Sequence, residues 1–153
     1  MGQQQLLLLV LGIVVVGLAV VVGIQAFGEN QKKSNSDAIT NDVIRIASDA
    51  QAWNLKPAAF GGGNGTFTGV TLEKLGYLLG ANGAVAGAYG NLNGGYSLTV
   101  GSATAGGVTL AQGLIIVGCN TANQNRVEAQ VSGTGPSNIA TTVTNDATCG
   151  NQS

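Results

Sequence analysis

The chain has 153 residues, a formal net charge of −1 and 8% charged side chains, against about 25% in ordinary soluble domains. It carries no basic patch to hold nucleic acid, and with no histidine it lacks the commonest general base and metal ligand. Glycine is abundant at 25 residues. Together with the Asn, Thr and Ser that crowd the chain after Phe60, it gives the composition of an exported, β-rich surface.

Residues 1–5, Met-Gly-Gln-Gln-Gln, form a short polar head without Lys or Arg. From Leu6 to Ile24, nineteen residues in succession carry no polar side chain. A helix rises about 1.5 Å per residue, so this run spans about 28 Å, the hydrocarbon thickness of a bilayer. Three readings compete for residues 1–28. A cleaved signal peptide requires a basic start, a shorter apolar core and a small-x-small cleavage site, and the head and Gln25-Ala26-Phe27-Gly28 supply none of these. A plain transmembrane anchor fits the length. Lys32 and Lys33 follow the run, and by the positive-inside rule they would hold its C-terminal side in the cytoplasm. The third reading is an anchor that is one half of a longer helix.

That third reading rests on residues 29–56. No glycine or proline interrupts the chain from Glu29 to Lys56. Apolar residues recur at Ile39, Val43, Ile46, Ala50 and Trp53, in alternating steps of four and three, which is the period of a helix with one buried stripe. Ala38, Ile44 and Ala47 widen the stripe. Asp37, Asp42, Arg45 and Asp49 mark the polar face, where Arg45 can reach Asp42 and Asp49 at spacings of three and four. Pro57 disfavours helix at the residue before it. The sequence therefore predicts one helix from Leu6 to Trp53, about 70 Å long, apolar all round in its first half and amphipathic in its second. Gly12, Gly17 and Gly23 interrupt the apolar half. Each costs about 1 kcal/mol relative to alanine in a helix interior, and each permits close approach of a neighbouring backbone.

Residues 57–153 read as a small β-rich head. Phe60 to Thr66 is a glycine-rich turn. It lacks the preceding strand, the Gly-Lys-Ser/Thr ending and the following helix of a phosphate-binding loop. Asn64-Gly65-Thr66 fits an N-glycosylation triplet. Phe67 to Val70 is expected to be extended, and Thr71 to Leu79 a short helix closed by Gly80. The period then changes to two. Tyr96–Val100, Val108–Leu110, Leu114–Cys119, Arg126–Val131 and Ile139–Val143 read as strands, with Leu114–Cys119 central and Val127, Ala129 and Val131 pointing inward. Gly106-Gly107 and Gly133 to Ser137 supply turns. The expected fold is α+β, with the long helix packed through its stripe on a four- or five-stranded antiparallel sheet.

Cys119 and Cys149 are the two cysteines. In a reducing compartment they are buried thiols; behind an export signal they form a disulfide closing about 30 residues and worth about 3 kcal/mol. Glu73, Glu128 and Asp146 are the carboxylates beyond the helix, and no two are neighbours. With no histidine and no nucleophile-elbow turn, the expectation is no enzyme, no cofactor and no metal.

The short head containing Gly2, the apolar run from Leu6 to Ile24, the amphipathic continuation to Trp53 and the glycine-rich β head with two late cysteines resemble a type IV pilin or pilin-like filament subunit. The resemblance implies a structural subunit of an extracellular helical filament, embedded in the cytoplasmic membrane before assembly. Its partners would be further copies of itself and a pilus assembly machinery. It implies cleavage between Gly2 and Gln3, and assembly through Gln5, Leu6, Leu9, Ile13, Val16, Val20 and Ile24. It also implies that Gly12, Gly17 and Gly23 mark a stretch able to lose helical structure on assembly. The chain departs from the pattern in lacking the glutamate usually found five residues into the mature protein. Counted from Gln3 that position is Leu7, and counted from Met1 it is Gln5, whose amide would offer a neutral oxygen to a neighbour's amine. The runner-up is a membrane-tethered binding head that does not polymerise.

Overall fold

A computed structural model describes residues 2–80, 88–145 and 149. Met1 and the carboxylate of Asp146 lie outside the described residues. The chain divides into two compact units, Met1–Ser34 and Asn35–Ser153.

Helix α1 runs from Gly2 to Leu55. It starts four residues earlier and ends two later than the apolar periodicity indicates, because glutamine is a good helix former and Pro57 is the first residue that cannot continue the ladder. In the first unit its large apolar side chains are all exposed, from Val10 at 51% to Phe27 at 75%.

In the second unit the helix buries Ser36, Ile39, Val43, Ile46, Ala47, Ala50, Trp53 and Asn54, which contains the five residues of the predicted stripe and the flanking Ala47. Of the other two residues expected to widen it, Ala38 is half-buried and Ile44 is 39% exposed, turned to the solvent side. Beneath it lies a five-stranded antiparallel meander, ordered β1-β2-β3-β4-β5. The strands are β1 (Tyr89–Gly90), β2 (Gly95–Ala105), β3 (Val108–Asn120), β4 (Asn125–Val131) and β5 (Ile139–Asn145). Inward side chains of successive strands stand opposite each other, as in Leu98 with Ile116 and Ile116 with Ala129. Strand β4 alternates strictly, with Val127, Ala129 and Val131 buried. Tyr96, Leu114, Ile116 and these three residues close on the helix stripe, with Phe67, Val70 and Leu72 filling one end.

Three sequence expectations are corrected. Val108–Leu110 and Leu114–Cys119 belong to one strand, β3. The pairing shifts between Gly101/Gly113 and Ala103/Leu110, so that Ala111 and Gln112 together oppose Ser102. This bulge breaks the alternation without ending the strand. Gly106 and Gly107, at φ 59° and 78°, make the two-residue turn that joins β2 to β3, a conformation requiring positive φ at both positions. Residues 67–70 are not extended: Val70 N–H donates to the Phe67 carbonyl at 3.2 Å, and the turn drives Phe67 and Val70 into the core. Residues 71–79 form no helix. One helical turn is closed by Leu75 N–H to the Thr71 carbonyl at 3.2 Å and Tyr77 N–H to the Leu72 carbonyl at 2.9 Å. Gly76, at φ 91°, ends it four residues before Gly80, because a single turn is too short to propagate. Leu72 is buried, Leu78 is left 87% exposed, and Leu79 pairs with Tyr89 as an isolated bridge.

Candidate assembly helix and the helix–head seam

The residues expected to take part in processing and assembly fall within 2–24. Gly2 and Gln3 open α1, and Gln5, Leu6, Leu9, Ile13, Val16, Val20 and Ile24 lie along it, all exposed. The last six follow one another at steps of three or four, along one side of the helix. Their neighbours Leu7, Leu8, Val10, Leu11, Val14, Val15, Leu18, Val21 and Val22 are exposed on the other sides, so no face is polar. Burial of one such side chain is worth about 1.5 kcal/mol at the low end. Leaving this surface in water would therefore forfeit on the order of 20 kcal/mol. Gly12, Gly17 and Gly23 stand within continuous helix, and a Cβ at each would meet no side chain and nothing beyond the adjoining helix backbone within 4 Å. By length and composition this helix can cross a membrane.

In the head unit, the helix is fixed to the sheet by a polar seam that the sequence did not reveal. Asp42 Oδ2 accepts three hydrogen bonds: from Tyr96 Oη at 2.6 Å, Asn91 Nδ2 at 2.8 Å and Asn93 Nδ2 at 2.9 Å. The Asn93 carbonyl in turn accepts from Asn35 Nδ2 at 3.0 Å and Asn120 Nδ2 at 2.6 Å. Two helical turns on, Asp49 Oδ2 accepts from Tyr77 Oη at 2.5 Å. The rings of Tyr77, Tyr89 and Tyr96 pack in series, with centroids 5.0 and 5.7 Å apart. On the other flank, Gln51 Nε2 donates to the Gly133 and Gly135 carbonyls at 2.7 and 3.0 Å.

The polar face of the helix is therefore corrected in part. Asp42 and Asp49 face the head's hydroxyls and amides, while Arg45 is exposed and acts on Asp42 through its charge. Burial by itself would raise the Asp42 carboxyl. The hydrogen bonds from Asn93, Tyr96 and Asn91, together with the Arg45 charge, outweigh it and hold the group below its ordinary value. Burial, and then the hydrogen bond and charge of the partner carboxylate, push both the Tyr77 and Tyr96 phenols upward. The seven-residue spacing of Asp42 and Asp49 was the available signal for one shared flank, but nothing local names their distant donors.

The end of α1 is closed by the glycine-rich loop. Gly63 N–H donates to the Trp53 carbonyl at 2.9 Å, Gly65 N–H to the Asn54 carbonyl at 2.8 Å and Asn64 N–H to the Lys56 carbonyl at 3.1 Å. Trp53 Nε1 returns a hydrogen bond to the Gly61 carbonyl at 2.9 Å. The loop thus satisfies helix-end carbonyls that have no partner within the helix. Cys119 on the central strand β3 is bonded to Cys149, with Cα atoms 5.9 Å apart, which ties the C-terminal segment to the sheet. Among the described residues no three metal-ligating side chains converge. Comparison with protein families, with characterised proteins and with solved structures finds no match.

Proposed function

We propose that this protein is the structural subunit of an extracellular helical filament of the type IV pilus kind, polymerising through the apolar half of α1. The carrying observation is the contrast within one helix. From Ser36 onward its apolar stripe is consumed by the head, whereas from Leu6 to Phe27 its large apolar side chains remain uncovered on every side. A single lipid anchor has no use for a helix that also forms half of a domain core. A subunit that must hold its head in fixed relation to neighbouring rods needs both halves.

On this reading the rod rests in the cytoplasmic membrane and then moves among sister rods. Lipid and leucine are about equally apolar, so the exchange is nearly balanced and is driven by packing. Extraction is the work of an assembly machinery, and Gly12, Gly17 and Gly23 allow close approach of rods or local unwinding. Gln5 supplies the neutral polar contact at the head of the rod, and Gly2–Gln3 is the processing site. The uncharged polar surface of the head faces solvent.

Negative-stain microscopy of material sheared from the native cell surface, with antibody labelling of the head, tests the proposal. Labelled filaments are expected. Recovery of the chain only as a detergent-soluble monomer would replace the filament with the tethered binding head. Amino-terminal sequencing of the same material is expected to begin at Gln3.

A further inference from the structure

We propose that Asn64 is a glycan acceptor, modified at Asn64-Gly65-Thr66 after the head has crossed the membrane. This rests on the export reading above and goes beyond it by assigning a covalent modification to a defined turn.

The turn presents the triplet in a fixed and open form. Asn64 lies in the left-handed region at φ 50°. Its main chain and those of its two neighbours are pinned to Lys56, Trp53 and Asn54 by the hydrogen bonds that close α1. The Asn64 side chain is exposed. Asn35, Asn91, Asn93, Asn120 and Asn125 each donate a side-chain amide hydrogen bond within the head, and Asn64 donates none among the described residues. Thr66 is likewise exposed, with its hydroxyl held against the Gly63 carbonyl at 2.9 Å. A second observation is the exposed aromatic ring in the same loop. Phe60 is 73% exposed and Leu55 67% exposed. The other described aromatics of the head, Trp53, Phe67, Tyr77, Tyr89 and Tyr96, are buried or half-buried. The apolar C–H face of a sugar ring is the kind of surface that packs on an exposed phenyl ring, and a glycan rooted in the same loop as Phe60 would cover it while remaining soluble.

The donor class is an oligosaccharide carried on a polyprenyl diphosphate, delivered by a host transferase. The Asn64 Nδ2 forms a bond to the anomeric carbon, the bond from that carbon to the diphosphate oxygen breaks, the lipid diphosphate leaves and the amide gives up one proton. No oxidant or reductant is involved.

The test is mass spectrometry of the peptide spanning Asn64, from chains recovered outside the native cell, for wild type, N64Q, T66A and T66S. A glycan mass is expected on the wild-type and T66S peptides and is expected to be lost from N64Q and T66A. T66S separates loss of the Thr66 hydroxyl from disturbance of the turn. The chain's other such triplet, Asn151-Gln152-Ser153, falls in a different peptide and is scored apart. An unmodified Asn64 peptide in wild-type filaments would overturn the glycan assignment and leave the filament standing. Failure to find the chain outside the cell at all would overturn both.

Discussion

Gly118, on the central strand directly beneath α1, is where the packing of helix on sheet can be tested most sharply. A Cβ added there would lie 2.6 Å from Ile39 Cγ2, 2.7 Å from Val43 Cγ2 and 3.0 Å from Tyr96 Cε1. The three neighbours are fully buried, so none can swing into solvent. Overpacking of this kind costs about 1–3 kcal/mol. A value of about 2 kcal/mol corresponds to a fall in Tm of roughly 8 °C for a domain of this size. The readout is thermal unfolding of the detergent-solubilised chain followed by fluorescence of Trp53, the single tryptophan, which is buried against the same helix–sheet core. Gly101→Ala is the control: its Cβ would meet only Ile115 Cδ1, at 3.8 Å, and a change within about 0.5 kcal/mol is expected. The decisive variant is the double substitution Gly118→Ala with Val43→Ala. Val43→Ala alone leaves a cavity worth about 2 kcal/mol. In the double variant the new methyl occupies part of that cavity, so the combined loss should fall short of the sum by at least about 1 kcal/mol. Additive losses, or a Gly118→Ala protein as stable as wild type, would refute the close approach of α1 to β3.

Other outcomes follow from the same structure. Asp42 has a depressed pKa in the folded head, so its contribution is present above the unfolded carboxyl value of about 3.9 and is lost as pH falls through the folded value; acid titration of stability should lose part of this slope in Asp42→Asn. Tyr77 and Tyr96 are raised, so their contribution is complete below about pH 10 and declines as pH rises above it; alkaline melts of Tyr96→Phe should show a shallower decline. Cys149→Ser opens the Cys119–Cys149 loop, with a sequence separation of 30. It should lower stability by about 3 kcal/mol, measured by the same melt with and without reductant. Val16→Asp places a charge in the uncovered rod. Filament yield by microscopy should fall at least about tenfold, since a buried unpaired carboxylate costs several kcal/mol, while the Trp53 melt of the head should be unchanged.

Sequence and tertiary structure divided the determination along a physical line. Period, length and composition are local properties. They were enough to mark the apolar rod, the stripe Ile39, Val43, Ile46, Ala50 and Trp53, the alternation of β4 and the ends set by Pro57 and Gly106-Gly107. The cysteine pair was legible too, because two cysteines allow one intramolecular pairing. The short segments were decided elsewhere. Residues 67–70 read locally as extended and 71–79 as a short helix, and only the seating of Phe67, Val70 and Leu72 in the core turned them into tight turns. The bulge opposite Ser102 arises from pairing with β2, which β3 does not encode by itself. The polar seam was invisible because a carboxylate on a helix face has the same local pattern whether it meets water, Arg45 or a tyrosine about fifty residues away. Burial depends on what the rest of the chain brings close: strand β2 brought Tyr96 to Asp42, and the turn before β1 brought Tyr77 to Asp49.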